Sequence, residues 1–357
     1  MGGPGESDEL PAVSVIMTAL NESRHLAGAV ESVLAQDYAG PLELVVAVGP
    51  SHDDTVEIAA QLAAANPRMS VVENPTGRTP AGLNIAIAAT DPTTTVVVRT
   101  DGHAELPSGY VRTAVATLLR SGADNVGGMM IPEGTTPLES AVARAMSEKI
   151  GLGGSTFHIG GDEGPADTVY LGVFRRSILE KTGGFDEHYT RAQDWELNLR
   201  IRTLGGVVWF DPSLRVDYRP RGHLRDLAKQ FRGSGEWRWQ IIRAYPRTAS
   251  VRYLAAPAAT LAIGLALVAV VIGLAIGSPL LALIAAAVPL GYLAVILAAA
   301  TVTRRGLGPA ASAWYPLVLV TMHLSWGSGF LLGPLRSALH RESQGSRQPA
   351  PATSGKS

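Results

Sequence analysis

Short apolar runs alternate with amphipathic stretches through the first hundred residues of the chain. β-Branched runs with turn residues on both sides predict four strands, at Val13–Thr18, Leu42–Val48, Met69–Val72 and Thr94–Arg99. Apolar residues at helical spacing between these runs predict helices at Leu26–Leu34, Thr55–Ala65 and Ala81–Ala89. Strands that alternate with helices indicate a mostly parallel sheet with both faces covered.

The polar residues before these helices predict where each helix starts. Ser23 is the expected N-cap of the first helix, and Asp53 or Asp54 is the expected N-cap of the second. Further along, Leu197, Leu199, Ile201 and Leu204 supply the apolar positions of another helix. Asp194 then lies at or near the N-terminal turn of that helix.

The pattern changes abruptly after residue 252, because the 51 residues between Arg252 and Arg304 contain no Asp, Glu, Lys or Arg. A single helix of that length would extend for about 75 Å, against a hydrocarbon core of about 30 Å, so the chain must fold back. Gly277-Ser278-Pro279 is the expected turn. We predict spans at 254–277, 280–301 and 311–335, and a buried helical core is the alternative.

These patterns divide the chain into five segments. A polar tail at 1–12 precedes an α/β domain at 13–240, and a basic juxtamembrane segment occupies 241–253. The transmembrane region covers 254–335, and the tail at 336–357 is rich in Pro, Ser and Gly and is expected to be disordered. The fold class is therefore α/β, followed by a C-terminal transmembrane helical segment.

Composition narrows the possible functions. The formal net charge is −1, which gives no indication of nucleic-acid binding, and the absence of cysteine excludes disulfides and thiolate chemistry. The first ten residues are polar and acidic and do not resemble a signal peptide, so the α/β domain is expected to be cytoplasmic in a multi-pass protein of the cell membrane.

The distribution of charge supports that orientation only in part. Arg215 to Arg252 contains ten basic residues against three acidic ones, and Arg304 and Arg305 follow the second span, as the positive-inside rule requires. Three crossings, however, place the basic residues of the tail outside the cell. The last apolar segment is therefore either re-entrant or interfacial, or it crosses against the charge rule.

Ligands of such sheets bind in the loops after the strands, here Thr18–Glu22, Val48–Asp54 and Thr100–Glu105. Asp101-Gly102-His103 brings a carboxylate and an imidazole out of the sheet together. Oxygen and nitrogen ligands at this spacing can hold Mg²⁺ or Mn²⁺ against a diphosphate. The alternative is a strand-end Asp that caps a turn, next to a solvated His.

Gln193-Asp194 forms a second candidate site. A carboxylate in the first turn of a helix is kept ionised by the helix dipole and can accept a proton from a hydroxyl group. The alternative is that Asp194 is only an N-cap.

These segments, in this order, resemble family 2 inverting glycosyltransferases of the GT-A fold, in particular the membrane-bound type that builds lipid-linked exopolysaccharide such as succinoglycan. The resemblance covers about residues 13–239. Its motifs are Val15–Glu22, Gly49–Thr55, the series from Asn74 through Arg78 to Asn84, Asp101–His103, Val169–Arg176, Gly184–Glu187 and Gln193-Asp194.

The resemblance implies roles for individual residues. Asp194 would be the catalytic base, Asp101 and His103 would hold a divalent cation, Mn²⁺ or Mg²⁺, and Arg78 would assist departure of the diphosphate. The implied donor-binding residues are Thr18, Ala19, Asn21, Glu22, Gly49, Ser51, Arg78, Asn84 and Asp101. The implied acceptor-binding residues are Gly172, Trp195, Arg232 and Trp237. The expected partners are a nucleotide-sugar donor, a UDP-sugar in the first instance, a lipid-linked or glycan acceptor, and the membrane.

Three departures from the family pattern qualify these expectations. Ala47-Val48 replaces the acidic residue that usually contacts the base of the nucleotide, and His103 replaces the last Asp of the D-x-D motif. A Q-x-x-R-W motif is absent, which favours addition of a single sugar over polymer synthesis. Two alternative functions remain: a nucleotidyltransferase, and a non-catalytic membrane scaffold that binds nucleotide or lipid.

Overall fold

The computed structural model of the chain describes residues 10–189 and 191–345, with side-chain environments up to residue 335. The chain forms two compact units. The first extends to Pro220 and includes Leu307–Ala311, and the second comprises Arg221–Gly306 and the chain from Ser312 onward. The parts of the two predicted tails at 1–9 and 346–357 lie outside the described residues.

The first unit is built on an eight-stranded sheet. Its strands in chain order are β1 (Val13–Ala19), β2 (Leu42–Val48), β3 (Met69–Glu73), β4 (Val96–Asp101), β5 (Asn125–Pro132), β6 (Gly164–Pro165), β7 (Tyr170–Arg175) and β8 (Val208–Tyr218). The spatial order is β3-β2-β1-β4-β7-β5-β8-β6. Within the group β1 to β4, each strand runs parallel to the strands beside it. β7 runs antiparallel to both β4 and β5. The carboxyl ends of β1, β2 and β4 therefore meet at one edge.

Nine helices of the described chain belong to this unit. They are α1 (Leu26–Leu34), α2 (Thr55–Ala65), α3 (Thr79–Ala88), α4 (Tyr110–Ser121), α5 (Pro137–Met146), α6 (Lys149–Leu152), α7 (Thr156–Ile159), α8 (Arg176–Thr182) and α9 (Gln193–Thr203). The chain thus follows the βαβ order that the sequence predicts through β4. The mixed sheet with helices on both faces confirms the predicted α/β class.

Side-chain alternation along the strands separates two hydrophobic layers. One layer contains Val96 and Val98 together with apolar residues of α1, α2 and α4. The other contains Val97 together with residues of α3, α8 and α9. Because successive strand residues point to opposite faces, Arg99 and Asp101 face the layer of α3, α8 and α9. This alternation brings β4 and α9 to the same site.

The structure corrects several predicted boundaries. The N-cap of α1 is His25, because the backbone N–H of Ser23 donates to Asp53 in the neighbouring loop. β4 starts at Val96, because Thr94 lies in a turn that its N–H closes to the carbonyl of Asp91. Leu204 is exposed and follows the last residue of α9, so it is not one of the buried positions of that helix.

The second unit is helical. It contains α10 (Leu224–Ala244), a short 3₁₀ turn at Pro246–Thr248, α11 (Val251–Ala275), α12 (Pro279–Thr303) and α13 (Pro309–Gly345), whose first residues cluster with the first unit. Residues 251–275, 279–303 and 309–335 are long and apolar enough to cross a membrane, with mean hydropathies of 2.6, 2.5 and 1.3.

Two predicted boundaries in this region differ from the structure. The first compact unit ends at Pro220, so α10 does not belong to the α/β domain that was predicted to reach residue 240. Helix α13 continues to Gly345, so it includes the start of the tail that was predicted to be disordered from residue 336.

Candidate active site

Backbone N–H groups join the loop after β1 to the loop after β2. The N–H of Asn21 donates to the Ser51 hydroxyl at 3.1 Å, and the N–H of His52 donates to Asn21 Oδ1 at 2.8 Å. Asn21 adopts a left-handed conformation with φ of 58°. Asn is among the residues that tolerate this conformation best. Both predicted donor-binding loops therefore form one connected surface at the sheet edge.

Side-chain hydrogen bonds of Asp53 and Thr55 connect the same two loops. The Asp53 carboxylate accepts from the Ser23 N–H at 3.1 Å and from the Thr55 hydroxyl at 2.5 Å, while the Thr55 hydroxyl oxygen accepts from the Glu22 N–H at 2.8 Å. These hydrogen bonds, led by the one from the Thr55 hydroxyl, lower the pKa of Asp53 to about 2. The loop that carries Glu22 is thus fixed to the start of α2.

The turn before α3 forms the third side of this surface. Asn74 is buried, and its Nδ2 donates to the carbonyl of Arg78 at 3.0 Å. Gly77 has a φ of 62°, and the Cα of Gly77 lies only 3.1 Å from where a Cβ on Gly49 would be. Glycine is needed at this close approach because a side chain on either residue would separate the loops. Arg78 itself is the exposed N-cap residue of α3.

Asp101 is the last residue of β4, and its successor is held against β1. The Gly102 N–H donates to the carbonyl of Thr18 at 3.2 Å, and a Cβ on Gly102 would lie 2.9 Å from that same oxygen. Beyond it, His103 Nδ1 lies 2.8 Å from Glu22 Oε1. Asp101, His103, Glu22 and the end of β1 are therefore neighbours.

Arg99 connects the two acids that the sequence singled out. It is 5% exposed, donates through Nη2 to Asp101 Oδ1 at 2.6 Å and through Nη1 to Asp194 Oδ2 at 2.9 Å. Burial lowers the pKa of Arg99, but the two carboxylates more than offset this and raise it. Asp101 and Asp194 are 93 positions apart in sequence and lie on either side of one guanidinium group.

Asp194 lies in the first turn of α9, and only one of its two carboxylate oxygens is hydrogen-bonded within the described residues. Its side chain is 33% exposed, yet Oδ1 is buried and has no hydrogen-bond partner among the described residues. Burial raises the pKa of Asp194, Arg99 lowers it, and the Asp101 charge raises it further, with a net increase. The N-cap of α9 is Ala192, so the interpretation of Asp194 as an N-cap is wrong.

Two further contacts hold α9 in place. Glu196 is fully buried and forms a bidentate pair with Arg200, both hydrogen bonds being 2.7 Å long. The same guanidinium donates to the carbonyls of Thr182 and Gly184 at 2.7 and 2.9 Å. The start of the helix, with Asp194, is thereby tied to the loop that follows α8.

Asn84 contacts that loop as well. Its Nδ2 donates to the carbonyl of Phe185 at 2.8 Å and to Glu187 at 3.1 Å, and its Oδ1 accepts from the Phe185 N–H at 2.8 Å. The Asn84 amide therefore holds the 184–187 segment. A direct role of Asn84 in donor binding stays a prediction.

The predicted acceptor-binding residues are divided between the two units. Gly172 is buried in β7, where a Cβ would collide with Phe174 and Asn125. Trp195 is half-buried beside Asp194 on α9. Arg232 and Trp237 lie on α10 in the second unit, where Arg232 pairs with Glu236 at 3.4 Å. An acceptor role for these four residues stays a prediction.

The residues at the end of β4 fit a divalent cation. Arg99 engages only Oδ1 of Asp101, which leaves Oδ2 as a ligand, and His103 supplies an imidazole two residues on. Within residues 10–189 and 191–345, no three His, Asp or Glu side chains converge as a metal site. A cation here would therefore complete its ligands from diphosphate oxygens and water, as Mg²⁺ and Mn²⁺ commonly do.

Unusual backbone conformations occur at this end of the sheet. In the described chain, the non-glycine residues with positive φ are Asn21, Leu171 and Ala192, with φ values of 58°, 46° and 59°. Asn21 lies in the first loop, Leu171 in the strand beside β4, and Ala192 directly before α9. Such conformations cost of order 1–3 kcal/mol each and cluster at functional sites.

Sequence reasoning missed Arg99 and Tyr170. Arg99 interrupts the apolar run of β4 two residues before Asp101, and alternation places both side chains on one face, so the signal was present. Tyr170 lies near enough to Arg99 and Asp101 to interact with their charges, and burial above all raises its pKa. Its position depends on the antiparallel insertion of β7 beside β4, which the sequence pattern did not indicate.

Comparisons with known proteins agree with this geometry. The family model "Glycosyl transferase family 2" matches residues 14–183. Succinoglycan biosynthesis protein ExoA of Rhizobium meliloti (strain 1021) is 31% identical over 334 residues, which are 91% of this chain and 96% of that protein.

Two solved structures are also similar. Mannosyltransferase PcManGT from Pyrobaculum calidifontis, in complex with GDP-Man and Mn²⁺, is 20% identical with a TM-score of 0.55 over 92% of this chain and 90% of that one. S. aureus TarS 1-349 in complex with UDP-GlcNAc is 16% identical with a TM-score of 0.47 over 62% and 64% of the two chains. The likeness to PcManGT concerns the fold.

Proposed function

Because the chain belongs to glycosyl transferase family 2 and is a glycosyltransferase of the GT-A fold, we propose that it transfers one sugar, with inversion, from a nucleoside-diphosphate donor to a lipid-linked acceptor at the membrane. The observation that carries the proposal is the Arg99 bridge between Asp101 and Asp194. Inverting transfer needs a base on one side of the anomeric carbon and charge stabilisation of the leaving group on the other.

Asp194 is the proposed catalytic base. Its Oδ2 is held by Arg99 and its side chain is 33% exposed, so the carboxylate can be reached by an acceptor hydroxyl and can take the proton of that hydroxyl. Arg99 opposes the burial that raises the pKa of Asp194 and so favours the ionised form that a base requires. Glu196 and Arg200 keep the first turn of α9 in place during this step.

The loops after β1 and β2 are the proposed donor site. The absence of a side chain at Gly49 and the short side chains of Asn21 and Ser51 suit a nucleotide that approaches the sheet edge closely. These loops do not specify uridine or another base, because buried, apolar Ala47 and Val48 occupy the position where the family usually has an acid that contacts the base. Exposed Arg78 is the proposed partner of the leaving diphosphate.

Asp101 and His103 are the proposed ligands of a divalent cation. When bound, the cation would neutralise charge on the departing diphosphate. PcManGT was solved with Mn²⁺ and GDP-Man, which supports this choice of ligand class.

The proposed acceptor is a polyprenyl-diphosphate-linked sugar or glycan of an exopolysaccharide pathway. ExoA, the 31% identical relative, is named for succinoglycan biosynthesis. Helix α10 carries five basic and two acidic residues together with Trp237 and Trp239, a composition suited to lipid diphosphates at headgroup depth. We further propose that the first unit lies on the cytoplasmic side, since basic α10 precedes the first candidate span and Arg252 lies at the start of that span.

Transfer of label from a panel of labelled UDP- and GDP-hexoses into lipid-extractable product tests the proposal in membranes that contain the full chain. The wild type should form product with Mn²⁺ or Mg²⁺ and lose activity with EDTA. Asp194→Asn should retain protection against thermal unfolding by the nucleotide diphosphate, but its turnover should fall by about 10²-fold or more.

Asp162→Asn is the matched control, because this carboxylate is exposed and lies outside the loops after β1, β2 and β4. Normal turnover of Asp194→Asn would refute the assignment of the base. Nucleotide binding by the wild type without any transfer would indicate the scaffold instead. Formation of UTP or GTP and hexose 1-phosphate from the donor, on addition of inorganic diphosphate, would indicate a nucleotidyltransferase.

A further inference from the structure

Helix α10 cannot lie in hydrocarbon. It carries seven charged residues in 21, and Arg225, Lys229 and Arg243 are exposed. Charged side chains are strongly unfavourable in the bilayer core. Only three residues separate Pro220 from Leu224, and so short a segment cannot cross a core of about 30 Å. Helix α10 therefore lies on the surface of the bilayer from which α11 enters it.

The C-terminal half of α13 packs so closely against α10 that almost no side chain fits between the two backbones. A Cβ on Gly235 of α10 would fall on the backbone carbonyl of Trp326, and a Cβ on Gly329 would fall on that of Arg232. Further along, a Cβ on Gly333 would lie 3.1 Å from the side chain of Trp239. Glycines at three successive contacts allow the two helices to approach closely. Residues 326–333 are therefore at the depth of α10.

The other end of α13 lies at the same surface. The Tyr315 hydroxyl is 2.9 Å from the Thr303 hydroxyl at the end of α12, and Arg304 and Arg305 follow directly. Near its middle, a Cβ on Gly327 would collide with Ala256 and Thr260, which belong to the first turns of α11 just after Arg252. Thr260 and Tyr292, whose hydroxyl is 3.2 Å from His323 Nδ1, lie further along α11 and α12, so α13 dips into the apolar layer between its two surface contacts.

The length of the helix makes an upright α13 incompatible with these contacts. From Pro309 to Gly333 an α-helix rises about 36 Å, which would carry Gly333 to the far side of a core of about 30 Å. Gly333 instead touches Trp239 of α10. The lower mean hydropathy of this segment, 1.3 against 2.6 and 2.5 for α11 and α12, is that of a less deeply embedded helix.

From this packing we infer that α11 and α12 are the only helices of the described chain that cross the bilayer, and that α13 lies obliquely, entering the apolar layer from the side of α10 and returning to α10 at Gly333. Exposed Leu331, Leu332 and Leu335 enter the acyl boundary, while Arg225 and Lys229 of α10 face anionic headgroups. This placement keeps the chain after residue 335, with its basic residues, on the side of α10. It also removes the conflict of three crossings with the positive-inside rule.

The absence of cysteine from the chain gives a direct test. Single variants Ser354→Cys in the tail, Ser108→Cys in the first unit and Ser278→Cys in the turn between α11 and α12 are labelled with a membrane-impermeant maleimide. Spheroplasts and inverted membrane vesicles expose opposite faces of the membrane. Labelling after addition of detergent shows that each thiol reacts once it is accessible.

Ser354→Cys should label together with Ser108→Cys in inverted vesicles, and Ser278→Cys should label only in spheroplasts. Labelling of Ser354→Cys together with Ser278→Cys would show that α13 crosses and would overturn the inference. Labelling of all three from one side would overturn it as well, because α11 and α12 would then not cross. The readout is accessibility, so it is independent of whether the proposed transferase activity is found.

Discussion

Arg99 is the residue on which the geometry of the site depends most. A guanidinium group presents parallel donors in a rigid fork, so it can hold two carboxylates at a fixed separation, whereas an ammonium group acts as a single point charge. Here one nitrogen binds Asp101 at 2.6 Å and another binds Asp194 at 2.9 Å. In the proposed reaction, Arg99 is a positioning residue that sets the distance between the metal ligand and the base.

Arg99→Lys should keep the buried positive charge but lose the bridge. We expect kcat to fall by about 10²-fold, because displacement of a reacting group by about 1 Å has an effect of that size. The KM for the donor should change less than kcat, since Arg99 holds only Oδ1 of Asp101 and the loops after β1 and β2 are held by hydrogen bonds of their own. Steady-state kinetics with the donor identified by the screen measure both parameters.

Arg112→Lys is the control for this substitution. Arg112 pairs with Asp37 on the surface, where both side chains are about half exposed or more, 63% and 46%. Exposed pairs of this kind contribute little. An unchanged kcat in Arg99→Lys would mean that the bridge is not needed for catalysis.

Asp53 gives the donor loops a pH-dependent stability. Its pKa is about 2 in the folded chain against an ordinary value of 3.8, so its hydrogen bonds stabilise the fold above about pH 4. This contribution is lost as the pH falls through 2. Asp53→Ala should therefore lower the thermal unfolding midpoint at pH 7, and its difference from the wild type should shrink between pH 4 and 2.

Asp54→Ala provides the matched comparison. Asp54 is the N-cap residue of α2 but makes no side-chain capping hydrogen bond. Its replacement should leave the midpoint nearly unchanged at both pH values. Equal effects of the two substitutions would mean that Asp53 does not fix the loops through its hydrogen bonds.

At the scale of the elements, apolar periodicity predicted the strands of the sheet edge and the starts of α1 and α2, but the predicted cap of α1 was wrong. The alternation of β1, β2 and β4 follows from local sterics and burial, and their bounds agree with the prediction to within about two residues. The expected cap Ser23 is instead bonded through its N–H to Asp53, a residue 30 positions away. A preference for a local cap was overridden by a long-range loop contact.

Long-range contacts also decide whether a glycine inside a helix can be replaced by alanine, and two glycines of the chain give a testable contrast. Gly82 lies in α3, where a Cβ would be 2.6 Å from Asn74 Nδ2 and 2.8 Å from Thr18 Cγ2. Ala gains about 1 kcal/mol in helix propensity, but the clash costs about 1–3 kcal/mol and displaces the buried Asn74 amide. Gly82→Ala should therefore lower the thermal unfolding midpoint, by an amount on the order of 2–4 °C per kcal/mol.

Gly28→Ala in α1 should behave differently. There a Cβ would meet only the far end of the exposed Glu105 side chain, at 3.0 Å, which can move. The midpoint should rise or stay the same, because the helix-propensity gain is not offset. A rise for Gly82→Ala as well would contradict the close packing of α3 on β1.

At the scale of the whole molecule, two chemically different units share one chain. The first is a sheet with helices on both faces, and the second contains two helices whose surfaces are almost entirely apolar. Exposed Leu, Ile and Val side chains are numerous on α11 and α12, as is typical of helices that face lipid.

Membrane extraction should reflect this composition. The full chain should stay in the membrane pellet after washes with 1 M-scale salt or alkaline carbonate, and detergent should release it. Salt screens the attraction of α10 to anionic lipids within about 3 Å, but it does not weaken the burial of two apolar spans. Recovery of the chain in the carbonate supernatant would mean that α11 and α12 do not cross.

The sequence alone determined the α/β class, the loops after β1 and β2, the candidate acids Asp101 and Asp194, and the charge-free helices α11 and α12. These properties are readable because strand alternation, helix spacing and membrane solubility are set by neighbouring residues. Only the tertiary structure decided that Arg99 joins the two acids and that α13 packs against α10. The docking of α9 onto the β4 face and the close approach of glycine backbones depend on residues dozens of positions apart, whose contacts leave no periodic pattern in the chain.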